Sequence, residues 1–251
     1  MLRSLLSAFL MYSRIPVPQV EWKEENRRYS LGFFPLVGAV IGGLVFLWRL
    51  LCGNISAGPW IFAAGAVLIP VLVTGGIHLD GFCDVTDAKA SYGDREKKLE
   101  IMADPHIGSF AVIHLCLYLI IQTILFAHAY ALRTAAVISC GYVLSRGLSG
   151  MCAVLCRAAR KEGTLQSFVR PSHRRATLSM LLFFIIASAA GMAAADLIAG
   201  LAALICAALT VIYCRRSAYK SFGGFSGDVC GWFMQLCEIS ILAAAVISAY
   251  I

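Results

Sequence analysis

Apolar residues gather in seven stretches, at about 33–52, 58–76, 109–131, 134–156, 176–195, 197–214 and 229–251. Each is close to the roughly 20 residues that an α-helix needs to cross a bilayer. Backbone polar groups in hydrocarbon must be satisfied within the segment, so the pattern predicts helices. The fifth and sixth stretches part only around Gly191–Gly200, which suits one hairpin. The expected fold is all-α: a polytopic integral membrane protein with about seven transmembrane helices and a cytoplasmic acidic loop or helix. No internal repeat is visible, and residues 1–251 read as a single membrane-embedded domain.

Composition supports this reading. The chain is 60% apolar and 14% charged, with a mean hydropathy of +0.80. A soluble domain carries roughly 45–50% apolar and about 25% charged residues. No room is left for a separate soluble catalytic domain, so chemistry must sit at helix ends and in loops. The first 32 residues hold Arg3, Arg14, Pro16 and Pro18 but no long apolar core, unlike a cleavable signal peptide. Ten cysteines include no Cys-x-x-Cys pair and lie mostly in apolar runs, so neither disulfides nor zinc are expected.

Charge sets the topology. Of 21 Lys and Arg, 18 fall before the first stretch or between stretches two and three, four and five, and six and seven. Seven crossings put all 18 on one side, which the positive-inside rule makes cytoplasmic, with the N-terminus inside. The net charge of +7 therefore reads as topology and contact with anionic lipid, not as nucleic-acid binding. The lipid bilayer is an expected partner, nucleic acid is not, and a homo-oligomer is left open.

Seven of the 14 acids crowd residues 77–108. Asp80, Asp84 and Asp87 are spaced i, i+4, i+7, one face of a helix. No Lys or Arg occurs from residue 50 to 88 to pair with them. Like charges repel there, and a divalent cation would relieve them. An all-oxygen set suits Mg2+, which bridges one or two carboxylates to phosphates. His78 projects away from the Asp face and is a poor ligand. The bland alternative is a solvated acidic face. Asp104, in Asp104-Pro105-His106-Ile107-Gly108, either caps the third crossing or joins the metal site.

Three further features stand out. Arg146 lies mid-crossing, where a charge needs a partner or a wet cavity. It reads as a phosphate contact, or as a structural ion pair with Glu238. The run Gly223-Gly224-Phe225-Ser226-Gly227-Asp228 is either a phosphate-approaching loop, flanked by Arg215, Arg216 and Lys220, or a plain turn capped by Asp228. The basic loop 157–175, with Arg160, is placed to orient phosphates.

Taken together, these segments resemble one family. GGIHLDGFCDVTDA at 75–88 and LEIMADPHIGSF at 99–110 look like the signature of the cobalamin synthases, the adenosylcobinamide-GDP ribazoletransferases. Arg14–Pro18, Phe34–Gly38, Leu144–Arg146, Arg160–Gly163, Gly223–Asp228 and Glu238 also match, so the resemblance covers most of the chain. Ala88 follows Asp87 where the family usually has glycine. Lys89 stands in a small-residue stretch, and Gln235 replaces a frequent acid.

The resemblance implies transfer of adenosylcobinamide-GDP onto α-ribazole or its 5′-phosphate. GMP is released and adenosylcobalamin or its phosphate is formed, with Mg2+ as cofactor, at the inner face of a bacterial cytoplasmic membrane. On that reading Asp80, Asp84, Asp87 and Asp104 hold the metal, and Asp87 is the base. Arg14, Lys89, Arg146, Arg160, Gly224, Gly227 and Asp228 contact substrate. Two rivals remain. A CDP-alcohol phosphatidyltransferase also uses an Asp-rich helix, but no Ala-Arg follows Asp87 in its register. A transporter would place its acids near the midplane of interrupted helices.

Overall fold

A computed structural model describes residues 1–250. Twelve helices follow in chain order: α1 (Leu2–Tyr12), α2 (Glu24–Arg27), α3 (Ser30–Asn54), α4 (Pro59–Thr74), α5 (Ile77–Ala90), α6 (Arg95–Ile101), α7 (Ser109–His128), α8 (Leu132–Leu155), α9 (Thr164–Val169), α10 (Arg174–Ala195), α11 (Leu197–Phe222) and α12 (Gly227–Ser248). Among the described residues the extended structure is one isolated bridge, between Ala158 and Phe225.

The chain is a multi-pass membrane protein. Six helices, α3, α7, α8, α10, α11 and α12, are long and apolar enough to cross a bilayer. The second expected crossing differs from the others. It breaks after Thr74, and α5 leaves α4 at 94°. Two consecutive residues in the left-handed region make the turn, Gly75 (φ 65°) and Gly76 (φ 80°). Side chains with a Cβ rarely adopt that conformation, so the glycine pair localises the bend. The Thr74 hydroxyl closes the end of α4 by donating to the Pro70 carbonyl at 2.8 Å. Four charged side chains in 14 residues exclude α5 from hydrocarbon. The apolar part of this broken span is α4, and α5 folds over one end of the bundle.

Counting the broken α4–α5 pair as one span brings the six crossings to seven. The ends at residues 30, 74, 109, 155, 174, 222 and 227 then share one side, together with the 18 basic residues. Between α10 and α11 the break falls at Asp196, whose carboxylate accepts from the Ala199 amide at 3.0 Å and starts α11. These two helices form the hairpin expected around Gly191–Gly200.

The core centres on α12 and α8, with α3, α5 and α11 packed against them. Its one buried ion pair joins Arg146 of α8 to Glu238 of α12. The Ser145 hydroxyl donates to the same carboxylate at 3.0 Å, and the Arg146 guanidinium also donates to the Tyr142 carbonyl at 3.1 Å. Arg146 is 1% exposed. Gly38 of α3 makes the space, since a Cβ there would lie 2.7 Å from Arg146 Cδ. Removing one partner strands a charge in the bilayer interior. Arg146→Met or Glu238→Gln alone should cost about 3–5 kcal/mol, and Arg146→Met with Glu238→Met much less than their sum. Thermal unfolding of the solubilised single and double variants measures this, and additive losses would contradict it.

Candidate active site

Helix α5 carries the site because its two faces do different work. His78, Gly81, Phe82, Val85 and Ala88 are buried against the bundle, and Asp80, Asp84 and Asp87 occupy the opposite face. Burying Phe82 and Val85 is worth about 1.5–3 kcal/mol each. Repulsion between exposed like charges at helical spacing costs a few tenths. Packing wins, and the acids are held together despite their charge.

The partner helix is α12. At Gly81 a Cβ would sit 2.8 Å from Asp228 Cα, and at Gly231 one would sit 3.1 Å from the His78 carbonyl oxygen. Reciprocal close approach of small residues is the usual way to bring helix backbones together in membranes. It draws Asp228, at the start of α12, into the acidic group. The sequence offered Asp228 as part of a phosphate loop or as the cap of a plain turn; Ser226 is the cap instead, and Asp228 in the first turn of α12 sets its charge against Asp80 and Asp84.

Three cavities meet at these acids. The largest, about 940 Å³, is lined by Arg14, Asp80, Asp84, Asp104 and the Gly75-Gly76 turn. A second, about 240 Å³, is lined by Asp80, Asp228, Gly227 and aromatic residues. A third, about 190 Å³, is lined by Arg160, Gly227 and Asp228. Asp80 is common to the first two and Asp228 to the last two. Arg14 reaches the large cavity because its amide donates to the Val73 carbonyl at 2.7 Å, which ties the N-terminal segment beside the turn.

Other expected residues lie elsewhere. Asp87 lines none of these cavities. Its carboxylate lies over Gly108, where any Cβ would collide with it, at the positive end of α7. Asp104 is exposed and accepts from the His106 amide at 2.9 Å. Lys89 turns away: its ammonium donates to Ser217 Oγ at 2.7 Å and sits 4.2 Å from the Trp232 ring, fastening α5 to α11 and α12. Arg146 is buried beside a void of about 20 Å³, too small for a substrate group, and lines none of the three cavities.

Gly224 packs on the Arg157–Ala158 backbone, and its amide donates to Ala218 at the end of α11. This strand-like pairing is completed by Phe225 donating to the Arg157 carbonyl and Ala159 to Phe225, each at 2.8 Å. Arg95, which sequence reasoning passed over, braces the same corner by donating to the Phe222 carbonyl at 3.0 Å and to Ala159 at 3.2 Å. A lone Arg in a mixed-charge helix carried no mark of that role.

The donor set is oxygen throughout. None of Asp80, Asp84, Asp87 and Asp228 has an ion-pair partner within 4 Å among the described residues. No three His, Cys, Asp or Glu side chains there converge closely enough to cage a metal. The expected cage of Asp80, Asp84, Asp87 and Asp104 is therefore spread out, with Asp87 on Gly108 and Asp104 across the large cavity. Asp80 and Asp84 remain neighbours on one wall. That still suits a cation that takes one or two carboxylates and keeps its other positions for water and phosphate.

Asp84 feels this setting most. Burial, then the carboxylates of Asp80, Asp228 and Asp87, push its carboxyl up to about 7. Unfolded, it ionises near about 3.9. Between those values the folded chain keeps a proton that the unfolded chain releases, so rising pH favours unfolding. The penalty is absent at pH 4, grows towards pH 7 and is complete above it. Solvent reaches the half-buried group, which leaves about 1–2 kcal/mol. In EDTA, Asp84→Asn should raise the melting temperature at pH 8 and leave it unchanged near pH 4. A gap that does not vary with pH would contradict this assignment.

Comparison with known proteins shows the family. The cobalamin-5-phosphate synthase family profile matches residues 4–246. The chain is 39% identical over 248 residues to an adenosylcobinamide-GDP ribazoletransferase of Lachnoclostridium phytofermentans, covering 98% of this chain and 94% of the relative. It is 31% identical to one of Desulfitobacterium hafniense, covering 97% and 96%. For one of Halalkalibacterium halodurans the identity is 32%, covering 92% and 90%. No solved structure matches. With a family profile matching residues 4–246 and relatives more than 30% identical over nearly the whole chain, the chain belongs to the cobalamin-5-phosphate synthase family.

Proposed function

We propose that the protein is an adenosylcobinamide-GDP ribazoletransferase whose centre lies at the cytoplasmic end of the bundle. The reaction joins adenosylcobinamide-GDP to α-ribazole, or its 5′-phosphate, and releases GMP. The observation that carries this reading is the set of unpaired carboxylates at the junction of a large and a small cavity. The large cavity is open and has room for the diphosphate end of the donor, and the basic end of the bundle attracts phosphates.

Asp80 and Asp84 would hold magnesium. Bound there, the ion would neutralise negative charge building on the diphosphate as its bridging P–O bond breaks. The protein's own residues supply the rest. Arg14 reaches the same cavity and orients the diphosphate. An oxygen of the ribazole ribose hydroxyl forms a new bond to the phosphorus that stays with cobinamide, and GMP departs with the bridging oxygen. Asp80 borders both cavities, so it replaces Asp87 as the carboxylate that accepts the hydroxyl proton. Asp87 keeps α5 seated on α7. Arg160 and Gly227 face the third cavity, next to Asp228.

The phosphatidyltransferase reading has no separate observation in its favour, and the acids stand at a bundle end rather than at mid-membrane, unlike a transporter's. Membranes containing the protein, given adenosylcobinamide-GDP, α-ribazole and Mg2+, should release GMP, and EDTA should stop them. Asp80→Asn and Asp84→Asn should each lower turnover by roughly a hundredfold or more while the protein still inserts. Full turnover in Asp84→Asn, or no GMP from the wild type, would overturn the assignment.

A further inference from the structure

The cavity of about 240 Å³ behind Asp80 has a character of its own. Its walls are mostly apolar, with Tyr12, Phe34 and Phe168 among them. Tyr12 lies 4.2 Å from Phe34 and 5.9 Å from Phe168, centroid to centroid, so the three rings form one continuous aromatic wall. Into this setting come two buried polar side chains, His78 and Ser149. His78 is only 5% exposed, yet neither ring nitrogen has a hydrogen-bond partner. Buried polar groups are nearly always satisfied, and an orphaned one marks an absent ligand or water. An imidazole offers a donor and an acceptor on opposite sides of one ring. Aromatic walls with a few fixed polar groups are the usual make-up of a small-molecule site, and this volume is at the small end of that range.

We infer that this cavity is the binding site for the nucleoside acceptor, with its flat heteroaromatic base against the Tyr12–Phe34–Phe168 wall and His78 hydrogen-bonded to a ring nitrogen or ribose hydroxyl. The inference rests on the proposed ribazole transfer and adds which cavity takes which substrate. The diphosphate donor is too large for the small cavity and too polar for its walls, so it takes the large one. Asp80 forms part of both, so the acceptor hydroxyl and the diphosphate approach that carboxylate from different sides. The separation also gives specificity. A donor or acceptor left unsatisfied by the wrong base costs affinity, whereas the aromatic wall tolerates any flat ring.

Two variants test the assignment. Ala153→Leu fills the cavity from α8, and His78→Phe keeps a flat ring but removes both polar atoms. Each should raise KM for α-ribazole by roughly tenfold or more and leave KM for adenosylcobinamide-GDP within about twofold. His78→Gln, which keeps a donor and an acceptor, should recover part of the loss. Equilibrium dialysis of α-ribazole with the solubilised protein, in EDTA and adenosylcobinamide-GDP so that transfer stalls, reads binding without turnover. Wild type should bind and Ala153→Leu should bind at least tenfold more weakly. Equal binding by both, absence of binding, or a KM rise confined to adenosylcobinamide-GDP would overturn the inference. If the wild type releases GMP in any of those cases, the proposed reaction stands without it.

Discussion

Everything at the working end of this protein follows from one constraint: Asp80, Asp84, Asp87 and Asp228 are held at one end of the bundle, near enough to raise the Asp84 carboxyl, with no ion-pair partner among the described residues. Left alone, such acids would move apart or be pulled into the basic loops around them. They cannot, because the backbone beneath them is fixed at both ends. The Gly75-Gly76 turn sets the direction of α5, and the contacts at Gly81 and Gly231 lock it to α12. Lys89 closes the far end through Ser217 and Trp232. The lysine nearest the acids is thus used as a fastener and is withheld from them. The electrostatic cost remains stored in the site, most visibly at Asp84, and a proton or a cation from outside relieves it.

The crossings, their number and the side on which the basic loops gather were legible in the sequence, since hydropathy and charge act residue by residue. The 3.6-residue spacing of Asp80, Asp84 and Asp87 was legible too, because one helix face needs no tertiary information. Long-range placement was not. Nothing in the local pattern said that Asp87 would settle on Gly108, some 21 positions along the chain. Nor did it say that Asp228 would replace it beside Asp84. Both outcomes depend on glycines whose meaning appears only when another backbone lies against them. Gly224 shows the same limit: a glycine-rich run reads equally well as a phosphate loop or as backbone contact, and here it packs on Arg157 and Ala158.

Arg146 and Arg14 show how depth decides the work of a charge. Both are arginines in segments that carry the family resemblance, and both looked fit to meet phosphate. Arg146 lies inside the bundle, where an unpaired guanidinium is too costly, so Glu238 and the Tyr142 carbonyl engage it. An arginine committed to that pair has little freedom to receive a substrate. Arg14 stands at the rim, exposed, with no carboxylate within ion-pair distance among the described residues. Water solvates it until something more strongly charged arrives, and a diphosphate meets that description.

The same reasoning separates the acids. A half-buried carboxylate at the positive end of another helix, as Asp87 is over Gly108, meets that helix rather than any of the three cavities. Asp84 faces the large cavity and is the most crowded by other carboxylates, which makes it the strongest site for an added cation. Asp80 is exposed and forms part of the wall between two spaces of unlike character, one broad and polar, the other narrow and aromatic. A group transfer needs its two reactants to arrive from different directions and meet at one proton acceptor. Of the four acids, Asp80 alone has both directions open to it.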